Sequence, residues 1–480
     1  MRNKNTKRIP IEKFNKEINN IMKKIFLVIA FLIAVNTLSF AQSSKKSPIE
    51  ERNVRAEMNF LAGDALQGRG SGTVFERIAA EYIGSQFMQF GIEPAGEKDA
   101  QGNQTFVQTV EVPGRSILQD LQISGDVGKS FIYGKDFAAF SISAKEIIGE
   151  LQKAKFGDTA KKGSIVLITL NDEDTFQSFQ PKLAQFYKDG ATAIFLTENK
   201  EISENWSNIA EQKVTLGRRG NLFVISKNAL NSLSNLENGT KLQMTGKFSD
   251  PQKGYTWNAM GKIVGTDSKL SSEIILLTSH LDHLGVRLNA PGDDKIFNGA
   301  DDDASGSVAV LELARVLAAG KKPKRTVYFV CFGSEEAGGH GATYFVNNMP
   351  FPKEKLIANL EFEMIGRSDS KVKPEELWLT GYERSNLGSE LSKRGAKLVN
   401  DPHPEENFFQ RSDNYTLAKQ GIIAHTVSSF GLHTDYHKAS DEVKTIDFPH
   451  MTKAINSMVK PITWLINTNF TPTWVEGKKP

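Results

Sequence analysis

Residues 274–282 read Ile-Ile-Leu-Leu-Thr-Ser-His-Leu-Asp. The unbroken apolar run from Ile274 to Thr278 is the pattern of a strand buried on both faces, and it leads straight into His280 and Asp282. Downstream, Val310, Leu313, Ala314 and Leu317 repeat at the spacing of one helix face, closed by Gly320 and Pro323. Val327 to Phe332, Ile357 to Glu363 and Ile422 to Val427 read as further strands. This alternation predicts an α/β domain of βαβ type from about residue 255.

Polar clusters fall at or just beyond the ends of these strands: His280-Leu281-Asp282, Asp301-Asp302-Asp303, Glu335-Glu336 and Glu363, with His437 on a loop after the last strand. In open α/β sheets the carboxyl ends of strands are where sites are built. All eight histidines lie beyond residue 279, so imidazole chemistry belongs to the C-terminal half.

Each cluster admits more than one reading. Asp282 is placed to accept the other ring N–H of His280, as carboxylates do for zinc-bound histidines. In the aspartate run, Asp303 or Ser305 suits an N-cap for the following helix. Three successive aspartates repel one another, however, and a divalent cation offsets that repulsion. At Glu335-Glu336 the side chains diverge, which suits one metal ligand and one general base. Glu361 and Glu363 alternate along one strand and share a face, costly for buried carboxylates without a partner. Together these residues supply the inventory of a two-zinc hydrolase.

Upstream the character changes. Residues from about 113 to 250 hold short strands (Ile165 to Ile168, Ala193 to Leu196, Leu222 to Ile225, Lys241 to Thr245), a helix near Leu183 to Lys188 ended by Gly190, and no His, Cys or tight carboxylate cluster. They predict a β-rich accessory module without chemistry of its own. Earlier still, helices over Glu51 to Leu61 and through Ala79 to Phe90 flank a glycine cluster at 68–72, which reads as a structural turn because no strand precedes it.

At the N-terminus, Met22-Lys23-Lys24 is followed by an apolar run from Ile25 to Val35 and by Ser39-Phe40-Ala41, the pattern of a cleaved signal peptide. The run is too short for a membrane anchor. The formal net charge is +3, of which residues 1–24 carry +6, so a chain starting at Gln42 has −3. That leaves no basic patch for nucleic acid. Cys331 is the only cysteine, so an internal disulfide is excluded and the fold rests on core size.

Five segments in order carry a resemblance: Thr278 to Gly285, Asn298 to Gly306, Gly333 to Gly338, Glu363 to Arg367 and His433 to His437. They resemble the co-catalytic zinc peptidase family of secreted bacterial aminopeptidases, whose fold is shared by glutamate carboxypeptidase II, glutaminyl cyclase and the transferrin receptor. The resemblance implies an α/β fold, a zinc-peptidase domain (253–470) with a mixed central sheet flanked by helices. Residues 48–112 form its N-terminal lobe, 113–252 an inserted β-rich protease-associated domain, and 1–41 a signal peptide starting at Met22. It implies two Zn²⁺: His280 and Glu363 on one, Glu336 and His437 on the other, Asp301 bridging, Glu335 as general base and Asp282 orienting His280. Many relatives have aspartate where Glu363 stands. Arg411, Ser412 and Asp413 resemble a substrate-side loop, while His283 and His433 fit no ligand position. The implied function is an exported exopeptidase, periplasmic or extracellular, acting on peptide or protein substrates. Aminopeptidase action is expected first; carboxypeptidase, dipeptidase, glutaminyl cyclase and a non-catalytic receptor are the rivals.

Overall fold

The computed structural model describes Met22 and residues 48–480, except 115, 126–130, 218–219, 289 and 291. Apart from Met22, the expected signal segment lies outside the described residues. Among those described, no helix is long and apolar enough to cross a membrane.

Residues 51–480 form one unit containing two large sheets. The strands of the first are β1 (Glu93–Pro94), β2 (Val107–Val112), β3 (Gly254–Ile263), β4 (Ile274–His280), β5 (Thr326–Phe332), β6 (Leu356–Phe362), β7 (Leu377–Leu379), β8 (Leu398–Asn400) and β9 (Ala424–Ser428). Their order is β1-β3-β5-β4-β6-β9-β7-β8, with β2 also on β3. The centre, β5-β4-β6-β9, is parallel, and antiparallel pairings at both sides make the sheet mixed. Every residue of β4 and β5 is buried, as their apolar runs require. Each such large apolar side chain contributes roughly 1.5–3 kcal/mol.

Helices α1 (Glu51–Leu61), α2 (Val74–Gln89), α3 (Gly306–Ala319) and α4 (Phe448–Asn467) pack together, α3 lying directly on β4, β5 and β6. Helices His340–Asn347 and Asn414–Ala418 join Leu276, Val330, Phe332 and Ala424 in a separate core cluster. The Thr73 hydroxyl accepts the Glu76 amide at the start of α2.

The second sheet has seven strands in the order Leu118–Gly125, Lys241–Phe248, Glu146–Ala154, Ser164–Ile168, Ala193–Thr197, Asn221–Ile225, Phe137–Ser141. Its centre is also parallel. Ile165, Leu167 and Phe195 enter one core, while Val166, Ile168 and Ile194 enter another on the opposite face. Helix Phe176–Asp189, with a Thr175/Ser178 capping box and left-handed Gly190 at its end, packs into the second of these. The module is therefore a layered α/β sheet, more helical than its strand-rich sequence suggests. It leaves the first sheet after Val112 and returns at Gly254, residues that pair on one rung between β2 and β3.

Candidate metal centre

The parallel strands of the first sheet deliver their C-terminal ends to one place. His280 is the last residue of β4, Glu335 and Glu336 follow β5, Glu363 follows β6, and the loop after β9 brings His437. Two groups of potential ligand atoms result, His280 with Asp302 and Glu363, and His283 with Asp302 and Glu336. His280 Nε2 lies 3.2 Å from Asp302 Oδ1 and 4.0 Å from Glu363 Oε1. His437 Nε2 lies 3.2 Å from Asp302 Oδ2 and 3.1 Å from Glu336 Oε1. His283 Nδ1 lies 3.0 Å from Glu336 Oε1.

The shared carboxylate is thus Asp302 rather than the expected Asp301. Asp301 faces elsewhere: Oδ1 accepts the Gly366 amide at 2.7 Å, and Oδ2 stands 2.9 Å from His433 Nε2. Asp303 Oδ1 accepts the amides of Gly306, in the first turn of α3, and of Met364, and Oδ2 accepts that of His280. Asp303 therefore takes the helix-start role read for it. Ser305 does not, since its hydroxyl donates to the Asp301 carbonyl. The turn carrying these aspartates is irregular, with a cis Asp302–Asp303 peptide and non-helical angles at both residues.

Asp282 lies beside His280 as expected: Nδ1 faces its carbonyl at 3.2 Å and its carboxylate at 3.6 Å. The same carboxylate also accepts the amides of Glu335 and Glu336 at 3.0 and 3.3 Å and the Ser71 hydroxyl. It ties the turn after β5 to the end of β4. Of the two glutamates on β6 and its exit, Glu363 faces the cluster. Glu361 accepts the Asn414 amide at 2.6 Å and the Thr426 hydroxyl at 3.1 Å.

Carboxylates dominate the electrostatics of the site. Burial, reinforced by neighbouring carboxylates, pushes Glu335 and Glu361 well above the usual carboxylate range. Burial likewise lifts Asp413 to about 8, with Asp282 and Glu363 adding to it. Despite its burial, His280 is raised well above the usual histidine value by Asp282 and Asp302. His280 Nε2, both ring nitrogens of His283 and Glu336 Oε1 are buried without a hydrogen-bond partner. Unsatisfied donors and acceptors of this kind are rare and call for a ligand. Imidazole nitrogens and carboxylate oxygens converging on one place suit zinc.

A cavity opens on the cluster. Its lining combines the polar Asp302, Glu335, Glu336, Glu363 and His437 with the apolar or aromatic Met364, Trp378, Phe408, Phe430 and Tyr436. Arg411 lies on its wall, paired with Glu406 at 3.1 Å. Ser412 and Asp413 are buried and are not among the residues lining the cavity.

The glycine cluster at 68–72 is a turn, as read, but one with a larger part than its sequence shows. Buried Arg69 donates to the carbonyls of Leu61, Leu281, Asn298 and Gly299, joining the N-terminal segment to two of the loops that carry site residues. Glu76, also buried, accepts the Ser334 amide at 3.0 Å. An arginine flanked by glycines gives no periodic signal, so only its long-range contacts reveal this.

Residues 258–460 match the profile of peptidase family M28. That segment belongs to the family. Aminopeptidase YwaD of Bacillus subtilis (strain 168) is 22% identical over 377 residues, covering 76% of this chain and 73% of that protein. Leupeptin-inactivating enzyme 1 of Streptomyces exfoliatus is 29% identical over 171 residues, 32% of this chain and 39% of its own length. The crystal structure of BSAP, a zinc aminopeptidase from Bacillus subtilis, superposes with a TM-score of 0.54 at 20% identity, covering 89% of this chain and 98% of that one. The fold of this chain is therefore the α/β fold seen in that aminopeptidase.

Proposed function

We propose that the protein is a zinc-dependent aminopeptidase holding two ions. The observation that carries this reading is the pair of clusters sharing Asp302, with unsatisfied buried nitrogens and oxygens, on the wall of an aromatic-lined cavity. His280 and Glu363 serve one ion, Glu336 and His437 the other, and Asp302 both. Zinc there supplies Lewis acidity toward the scissile carbonyl and lowers the pKa of water.

Glu335 is the residue left for proton transfer. Its carboxylate lines the cavity and reaches no ligand group, and its amide is anchored on Asp282. It takes the proton of the attacking water and delivers it to the departing amine. Met364, Phe408 and Phe430 receive the substrate side chain and keep water away from it.

Polarity follows from charge. The cavity wall presents Asp302, Glu335, Glu336 and Glu363, which favour a substrate ammonium. The cations that a substrate carboxylate would need are already engaged: Arg367 with Asp435, Asp441 and Thr445, and Arg411 with Glu406. Release of residues from free peptides and none from N-acetylated ones is the expected result. C-terminal release from acetylated peptides would overturn it, and absence of bound zinc at saturating metal would overturn the enzyme reading itself.

Two further parts belong to the proposal. The Met22–Ala41 pattern supports export, tested by whether the mature N-terminus is Gln42. The second sheet, inserted between β2 and β3, supports a protease-associated module.

A further inference from the structure

We propose that His283 is a fourth protein ligand at the position shared by Asp302, Glu336 and His437, which makes the two metal positions unequal. The inference rests on the zinc-peptidase reading above and deepens it. One position is closed by four side chains. The other, held by His280, Asp302 and Glu363, keeps a coordination place free for water and substrate.

The distances carry the argument. His283 Nδ1 stands 3.0 Å from Glu336 Oε1 and 3.9 Å from Asp302 Oδ2. His437 Nε2 stands 3.1 and 3.2 Å from the same two oxygens. Donors about 2.0–2.2 Å from a tetrahedral zinc lie roughly 3.3 Å from one another, and the four separations bracket that value. His283 and Glu336 approach closely, yet Nδ1 and Oε1 form no hydrogen bond with each other or with anything else. Two groups aimed at a common point, rather than at one another, have this geometry.

The ring is held in place by surroundings built for it. The His283 amide donates to the Arg69 carbonyl at 3.2 Å, and the residue pairs with Gly70 in an isolated bridge. Its ring lies against Gly299, where a Cβ would come within 2.4 Å of Cγ. Gly299 also has φ +57°, so a side chain there is excluded twice. His283 is buried, whereas the His437 side chain is 36% exposed and sits on a loop at φ +56°. The buried imidazole is the fixed donor and the loop imidazole closes over it.

Closed four-ligand zinc sites hold their ion as structure, while catalytic ones have three protein ligands and an open place. The assignment therefore gives the His280 position the task of receiving substrate. A supporting role for His283 would also weaken zinc binding, by about 10–100-fold, so affinity alone does not decide.

X-ray absorption at the zinc edge counts imidazoles. In the full-length protein loaded with two zinc ions, three imidazoles shared by two ions are expected. The same measurement on His283→Gln at full loading should lose one third of the imidazole scattering. Two imidazoles over two ions in the unmodified protein overturns the proposal even if the variant does not fold, as does unchanged scattering in a folded variant. Failure of the unmodified protein to bind zinc at all counts instead against the peptidase reading.

Discussion

At the C-terminal ends of the parallel strands in the accessory sheet stand Thr197, Asn199 and Ser226; at the same ends in the peptidase sheet stand His280, Glu335, Glu336 and Glu363. Both sheets are parallel at the centre and buried on both faces, so architecture alone does not separate them. Partners do. The Thr197 hydroxyl accepts the Leu170 amide at 2.8 Å. Asn199 donates to two carbonyls and accepts the Ile202 amide, and Ser226 accepts the Ala229 amide. In the accessory sheet the strand ends are complete within the chain. In the peptidase sheet His280 Nε2 and Glu336 Oε1 are buried and unanswered. A strand end becomes a site when its polar atoms are left for something outside the chain.

The sharpest attempt to break this contrast is to remove the shared carboxylate. Asp302→Asn should lose both zinc ions and reduce turnover to background, whereas Asp301→Asn, whose oxygens are already bonded within the chain, should load zinc to full stoichiometry. Elemental analysis of the two variants decides between them; the opposite pattern returns the bridging role to Asp301.

Next in size is Glu335→Gln. It should lower kcat by about 10²–10⁴-fold while bound zinc stays at the level of the unmodified protein. Loss of zinc from this variant, with retention in Glu336→Gln, would reverse the two roles.

Leu167→Ala tests the other sheet. Removing this buried side chain should cost about 2–5 kcal/mol in unfolding free energy and leave zinc stoichiometry in the folded protein unchanged. Denaturant titration alongside metal analysis measures both, and zinc loss from the folded variant would show the sheets to be coupled.

The smallest effect concerns pH. Burial lowers His425 from 6.5 to about 4, with its ring between the Thr380 carbonyl and the Ser385 hydroxyl. Because the fold favours the neutral ring, its contribution is complete above about pH 6.5 and declines as pH falls towards 4. The difference is at most about 3 kcal/mol. His425→Gln should flatten that part of the stability curve, and an unchanged slope between pH 6.5 and 4 would exclude His425 as its source.

How much of this was legible beforehand depended on length and regularity. The runs from Ile274 and Val327 announce their strands because a two-sided burial leaves no polar alternation, whereas the strand expected from Ile422 begins at Ala424 and carries His425, Thr426 and Ser428. The three-residue strands Leu377–Leu379 and Leu398–Asn400 are too short to show any period. Residue types at the site were readable, but direction was not readable in the irregular aspartate turn. There Asp302 has φ −106°, ψ 97° and Asp303 φ −127°, ψ 44°, so neither helix nor strand spacing says which carboxylate faces inward. The direction of His283 depends on Arg69 and Gly70, which are distant in sequence, so no local pattern points it at the site.

One rung of the peptidase sheet has a wider consequence. Since Val112 and Gly254 lie opposite each other, everything from 113 to 253 is, to β2 and β3, the loop of a hairpin. Two neighbouring strands can be joined by as little as a two-residue turn, so the pairing of Glu111 with Tyr255 through Val107 with Ala259 needs no segment of this length to close it. The junction is thus a graft point. The module is attached on the β2–β3 side of the sheet, whereas His280 and Glu363 stand at the ends of β4 and β6.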